Sequence, residues 1–455
     1  MCEALTPRTH GFPVMVFSLL RSFRPDSAAL GRAAVAAATW HEIRAPETSK
    51  CYLLGILREG NEKVYMRERT AESVSGHAVR EVAAFTADVS AALTRDWGRA
   101  GKTCESFAAI AAEALATGLG RHSISRADVA HWGLTADNLP HQARLDHTFG
   151  QPPLTLFWNG EFHIDALFWL DSSTAVHSHS FSGAFGVLAG RSLHSRHVFT
   201  EQRRFSRHFA LGELQPTEVE VLVPGEVRQI LPDSGLIHSV VHLGLPSVTI
   251  VARTCAKAQA ETEFAYFPPT VELDPARTSP QRTRRTQLLA MLVRSGAAGL
   301  MDTTEAVLRA SDPHTGFLAA AEFARSREGA AHLPEVLALC EKQWPGTGEP
   351  FAAALTTDMR RKRAVQLLSR ERDTECRLLL AALAALDDRR WIDTALRCGA
   401  PNTAADALIQ RCVRGWGERD VLGAPGQDGS PYDNPVLRPL AIPGQTPLRE
   451  QQVPA

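Results

Sequence analysis

The chain carries eight cysteines, but none sits in a Cys-x-x-Cys pair, so neither a zinc ribbon nor a thioredoxin-type redox motif is written in it. No stretch approaches the roughly 18 apolar residues that a membrane span requires. The apolar patch from Phe12 to Leu20 is short, contains Pro13, and lacks the basic start and small-residue cleavage site of a secretory leader. Reduced thiols in a cytoplasmic protein are therefore expected. Excess charge of one sign is also missing: 49 Lys and Arg stand against 50 Asp and Glu, for a net charge of -1. A balanced chain has no general attraction for nucleic acid or an acidic membrane. Aromatic residues make up only 7%, too few for a stacking surface on single strands. The short basic runs Arg282, Arg284, Arg285 and Arg360 to Arg363 read as solvated helix faces. Arginine far exceeds lysine, and alanine and glycine abound, in the manner of a GC-rich bacterial genome.

What is present divides the 455 residues into regions of different texture. Residues 1–150 are mostly helical in pattern, although the first fifty show little order and 52–66 reads as a hairpin turning at Glu59-Gly60-Asn61. Over 73–97, Val74, Ala78, Val82, Phe85, Val89 and Leu93 recur at helical steps. A second helix is predicted from the cap Thr103 to about Thr117, stopped by Gly118 and Gly120. From 151 to 270 the period changes to two. Residues 161–170 alternate strictly, with Phe162, Ile164, Ala166 and Phe168 on one face and His163 and Asp165 on the other, as in a half-buried strand. Short strands at 184–189, 193–203, 219–223, 227–231, 248–254 and 263–267, punctuated by Gly and Pro, predict a sandwich or small barrel. Pro268-Pro269 closes this region; 280–417 then reads as short antiparallel helices broken by Pro313, Pro334, Pro345 and Pro401. Residues 418–455 form a tail rich in Pro and Gly, or a strap across the surface.

Histidine is the compositional outlier, with 17 copies unevenly placed. His177 and His179 stand two apart in the strand region, and residues two apart on a strand share a face. Such a pair can take adjacent positions on one metal ion. About fifty residues on, Pro232-Asp233-Ser234-Gly235 leads into a segment that begins with His238. If that segment crosses beside the first, His238 supplies a third imidazole.

These two segments resemble the cupin superfamily. Its first motif runs His-x-His, an acidic residue, then glycine, matched here by His177, His179 and Gly190. Its second has Pro and Gly shortly before a histidine, matched by Pro232, Gly235 and His238. The resemblance covers about 120 residues, and it implies an α+β protein. A central jelly-roll barrel, the double-stranded β-helix of cupins, is flanked by N-terminal helices and a C-terminal α-helical domain. The acidic ligand is missing, with Gly183 near its place, and three histidines without a carboxylate look like the metal site of cysteine dioxygenase and related thiol dioxygenases. The Ser-His-Tyr triad of those enzymes is absent. The resemblance thus implies a mononuclear Fe(II) oxygenase using O2 on a small molecule or a peptide-borne group, with His177, His179 and His238 on the metal. Zn, Ni, Cu or Mn would accept the same nitrogens. Arg253, near the end of a predicted barrel strand, is a candidate clamp for a substrate carboxylate. His242, about 13 Å along the strand from His238, is too far to share its ion and is placed at the rim, with a pocket role as the alternative. The other reading is a non-catalytic metal- or ligand-binding cupin whose C-terminal helices meet a protein partner. His163, His194, His197 and His208 are expected at the surface, the last three on a charged edge strand. Trp158 and Trp169 either wall a pocket or pack.

Overall fold

The computed structural model describes residues 71–142, 150–171, 173–255, 263–275, 279–419 and 434–441. The first fifty residues and the hairpin expected over 52–66 lie outside the described residues.

Three helices open the described chain. Helix α1 (Ala71–Arg99) carries the predicted stripe, and α2 (Cys104–Arg121) starts at Thr103, whose side chain accepts from the backbone of Ser106. Contrary to expectation, α2 does not stop at Gly118. A Cβ there would lie 2.5 Å from Val89 of α1, so this glycine lets two helices approach closely and does not end one. Helix α3 (Arg126–Thr135), not foreseen, begins with a reciprocal Ser125–Asp128 capping box.

Eleven strands follow among the described residues. A five-stranded sheet runs β1 (Pro153–Trp158), β2 (Phe162–Trp169), β9 (Ser247–Thr254), β4 (Gly183–Ala189), β7 (Val227–Ile230). The other six close on themselves in the order β10 (Ala265–Phe267), β11 (Val271–Leu273), β6 (Phe209–Leu222), β5 (Ser192–Ser206), β8 (Asp233–His242), β3 (Val176–His179). Every pairing is antiparallel. The sheet region therefore begins before the first predicted strand and continues past the Pro pair, which forms the turn between β10 and β11.

Helices cover both outer faces. Phe162, Ile164, Ala166, Ala184, Ile250 and Ala252 pack under α1–α3 in one cluster with Phe85, Phe107 and Leu115. On the opposite side Leu193, Val219, Val241 and Leu243 meet helices α9 (Gly348–Leu368), α10 (Thr374–Ala385), α11 (Arg389–Gly399) and α12 (Ala405–Glu418). Phe209, Leu211, Val271 and Leu273 pack against α4 (Pro280–Ser295), α6 (Pro313–Arg325) and α9. β2 is thus buried along both faces and is not the half-buried strand its alternation suggests, whereas the distal half of β5 stays exposed. Of the expected tail, Val436, Leu437 and Leu440 are buried in the cluster around α9–α12, so this segment is pinned into a core and does not lie across the surface.

The expectation of reduced thiols fails at one place: Cys376 of α10 and Cys412 of α12 form a disulfide, with Cα atoms 5.5 Å apart. Closing a loop of sequence separation 36 restricts the unfolded chain by roughly 4 kcal/mol in the chain-entropy treatment. A Cys412→Ser variant, or the wild type in a phosphine reductant, is expected to unfold at lower urea by about that free energy. Coincident oxidised and reduced urea curves would refute the constraint.

Candidate metal centre

The interior of the barrel gathers the histidines. His177 and His238 are directly paired residues of β3 and β8, and the register then slips so that His179 faces Asp233. The ring nitrogens of His177, His179 and His238 can be chosen within 4.8 Å of one another, and all three residues are buried. Among the described residues this is the single group of His, Cys, Asp or Glu with such a geometry. His179 Nε2 and His238 Nε2 face each other at 2.9 Å. Two imidazole nitrogens so close share either a proton or a cation, and metal–nitrogen bonds of about 2.1 Å at right angles would place them about 3.0 Å apart.

Their surroundings dictate which nitrogens carry protons. His177 Nδ1 lies 2.9 Å from the Ala175 carbonyl, an acceptor only, so Nδ1 is protonated and Nε2 presents its lone pair. His238 is held by a chain. Its Nδ1 lies 2.9 Å from His194 Nε2, His194 Nδ1 lies 2.9 Å from Glu220 Oε1, and Arg228 donates through Nε (2.9 Å) and Nη2 to the Glu220 carboxylate. Burial works to raise the Glu220 pKa, but hydrogen bonds from His194 and Arg228 outweigh it and hold the carboxyl at about 2. An ionised Glu220 only accepts, so His194 donates to it from Nδ1, and the neutral ring then accepts at Nε2 from His238 Nδ1–H. His238 Nε2 is thereby left as a lone pair turned toward His179. Burial is the first cause lowering the pKa of His177, and it pushes His179 and His238 well down, so all three favour the neutral form that a cation requires.

His194 is thus not a surface residue: it is 1% exposed and stands directly behind His238. His197 is buried as well, on the outer side of β5, with Nε2 3.0 Å from the Ser195 hydroxyl. His208 is paired with Asp274 at 2.9 Å. β5 is not an edge strand, since it pairs with β6 on one side and β8 on the other. Barrel closure buries His194 inside, and C-terminal helices cover the outer face of the strand near Leu193. Glu220, which sequence reasoning passed over, is the direct partner of His194 in the β5–β6 hairpin. Two strands joined at Arg207-His208 would have revealed that pairing.

Gly183 explains the missing acidic residue. A Cβ at this position would lie 2.3 Å from the Ala252 carbonyl of β9, so the strand has no room for a side chain where a glutamate would project.

The three histidines border a cavity of about 50 Å³, space for an ion and a few waters. Its walls are mainly apolar: Leu167, Phe181, Phe185, Val187, Leu222, Ile230 and Val251, with Trp169, Arg253 and His242. Arg253 lines the cavity with its charge already answered: Nη2 donates to Asp165 at 2.9 Å and Nε to His163 at 2.7 Å. His163 is therefore not on the surface; it and Asp165 are buried on the barrel side of β2. Trp169 lines the cavity and donates to Thr249 at 2.9 Å; Trp158 stacks on His163 instead. His242 is not at the rim either. It is 0% exposed and lines the same cavity, and burial lowers its pKa to about 3.

Burial also lowers His197 to about 3, with Arg361 adding to it, and His314 to about 4, with Arg282 adding. These three histidines stay neutral in the folded protein while the unfolded chain takes up protons below about pH 6.5. Stability is then fully present above that pH and falls as pH drops toward 4, by at most roughly 4 kcal/mol per pH unit if all three remain buried. Urea midpoints measured between pH 7 and 5 are expected to fall steeply, and a flat profile would contradict the burial.

No known protein-family pattern matches this chain, and no curated protein resembles it closely enough to count. Solved structures with partial similarity include the DMSP lyase DddQ from Ruegeria pomeroyi DSS-3, at 11% identity over 34% of this chain and 77% of that one, TM-score 0.21. An RmlC-like cupin from Shewanella frigidimarina NCIMB 400 is 17% identical over 23% of this chain and 77% of that one, TM-score 0.16. Hydroquinone 1,2-dioxygenase PnpCD is 12% identical over 23% and 63%, TM-score 0.18. In a structure of the DMSP lyases RdDddP and RnDddQII the chain spans only 44% of its relative. At such TM-scores the likeness carries no argument. What fold and site themselves define is an antiparallel β-barrel, walled by helices on both sides, with a buried three-histidine cluster able to hold a metal ion.

Proposed function

We propose that this protein is a mononuclear metal-dependent enzyme of cupin type, in which His177, His179 and His238 hold ferrous iron and O2 is used to oxidise a small molecule. The observation that carries the reading is the 2.9 Å approach of two Nε2 atoms beside a third imidazole, at a mainly apolar cavity. Three neutral nitrogens suit a first-row transition metal and leave coordination positions open, as catalysis requires and a closed structural site does not allow. Bound there, iron would supply the redox chemistry with O2. The chain's own residues do the rest. Ala175 and the His194–Glu220 chain fix the orientation of two ligands, and the apolar walls exclude water from the reacting groups. Arg253, already paired with Asp165, forms a positioned wall and is not a free clamp for a carboxylate.

Thiol dioxygenase chemistry is one form of this activity, and zinc in the same three nitrogens would instead activate water. The apolar faces of the flanking helices pack onto the barrel, which favours an enzyme with thick walls over a binder that offers those helices to a partner. Oxygen-electrode assays of protein reconstituted anaerobically with Fe(II), over panels of small thiols, phenols and amino acids, test it. Substrate-dependent O2 uptake abolished in His179→Ala is expected. Stoichiometric iron binding without uptake on any panel would favour the binder.

A further inference from the structure

His242 differs from the other histidines of the cavity in one respect. His177 Nδ1 faces a carbonyl, which only accepts, and His238 Nδ1 faces the His194 imidazole, whose own Nδ1 is committed to the Glu220 carboxylate. The partners of His242 Nδ1 are two hydroxyls, Ser192 Oγ at 2.9 Å and Ser247 Oγ at 2.8 Å. A hydroxyl donates or accepts by rotating, so the ring is free to carry its proton on either nitrogen. The Nε2 atom is buried and makes no hydrogen bond. A buried polar atom with nothing to bond costs about 1–3 kcal/mol, a cost that a ligand bonding to Nε2 would remove. Trp169, stacked at 5.0 Å with an interplanar angle of 28°, holds the ring in place against the cavity.

Charge narrows the ligand further. His242 is neutral at ordinary pH, and the one cationic side chain of the cavity wall, Arg253, is paired with Asp165. Along β8 the Cα of His242 lies about 13 Å from that of His238. A carboxylate at this end would be buried without a counter-charge, which costs several kcal/mol.

We propose that His242 is the substrate-recognising group at the end of the cavity remote from the three-histidine cluster, and that it selects a small, largely apolar molecule whose remote end carries a neutral hydrogen-bonding group, a hydroxyl or amide, over a carboxylate. The proposal deepens the enzyme reading above and rests on it for the identity of the ligand as substrate.

Long-range ¹H–¹⁵N spectra of zinc-loaded protein labelled at histidine, titrated with propionamide and with its isostere propionate, test it. Propionamide is expected to shift the His242 Nε2 resonance saturably; propionate, even where it binds the metal, leaves that resonance in place. His242→Phe keeps the ring against Trp169, and it is expected to retain one zinc per chain while propionamide affinity falls at least tenfold. His242→Gln, which restores a donor and an acceptor, recovers part of that loss. An unmoved Nε2 under propionamide, an equal shift under propionate, or unchanged propionamide affinity in His242→Phe would overturn the proposal. Loss of the metal from the wild type would instead strike the enzyme reading, because the His242 resonance is read independently of it.

Discussion

Alanine at His177, His179 or His238 is expected to strip the protein of its transition metal. If a transition-metal site contributes on the order of 10 kcal/mol, each of three ligands accounts for roughly 3–4 kcal/mol, which is two to three powers of ten in affinity. The effect reaches folding as well, since a cation that binds only the folded barrel raises its stability by about 2.7 kcal/mol at one hundred times its dissociation constant. Wild-type protein should therefore gain several degrees in melting temperature on metal addition, and the three variants should gain nothing. The contrast with nearby histidines is part of the expectation. His163→Ala and His208→Ala remove buried or half-buried histidines outside the cluster, so both should retain one ion per chain. Equal loss of metal from all five variants would mean that general destabilisation, and not ligation, controls the metal content.

The second large effect is expected one layer out. In His194→Phe the proton on His238 Nδ1 loses its acceptor, and in Glu220→Gln the partner of His194 ceases to be acceptor-only. Either change frees His238 to take the wrong tautomer or to rotate away from His179. Outer partners of metal-bound histidines are commonly worth 10- to 100-fold in affinity, and that range is expected here by competition with a calibrated chelator. The Co(II)-loaded variants should also show a shifted visible spectrum, because the ligand field changes at His238 while all three ligands remain. Glu220→Asp, which keeps the carboxylate, should recover more than Glu220→Gln. Affinities within twofold of wild type in all three variants would reduce the chain to packing.

The two expectations differ in how visible their residues were in the sequence. The His177–His179 pair is legible because strand geometry is local: a period of two fixes a shared face without knowledge of any neighbour. His238 could be added because a Pro–Gly turn announces the start of its strand. His194 and Glu220 were hidden for the opposite reason. They meet only when residues 192–206 and 209–222 form one long hairpin, and the charges of Arg203, Arg204 and Arg207 near its turn resemble a solvated edge. The burial of β2 on both faces depends on helices α1–α3 over its apolar face and on Arg253 of β9 against His163 and Asp165 on the barrel side. Alternation within the strand can report neither. Gly118 misled for a related reason, since glycine serves helix ends and close helix crossings alike, and Val89 decides between them. The Cys376–Cys412 bond likewise joins two helices whose contact is tertiary. The burial of His242 is not legible in the sequence, because strand rise gives its distance from His238 but says nothing of where the cavity ends.

X-ray absorption at the edge of whichever first-row metal stays with the purified protein tests the three-histidine centre most directly. One ion per chain is predicted, with imidazole outer-shell scattering from three histidines, no sulfur neighbour, and the remaining positions filled by light oxygen or nitrogen atoms. A sulfur scatterer, a single imidazole, or no metal even after anaerobic Fe(II) addition would contradict it.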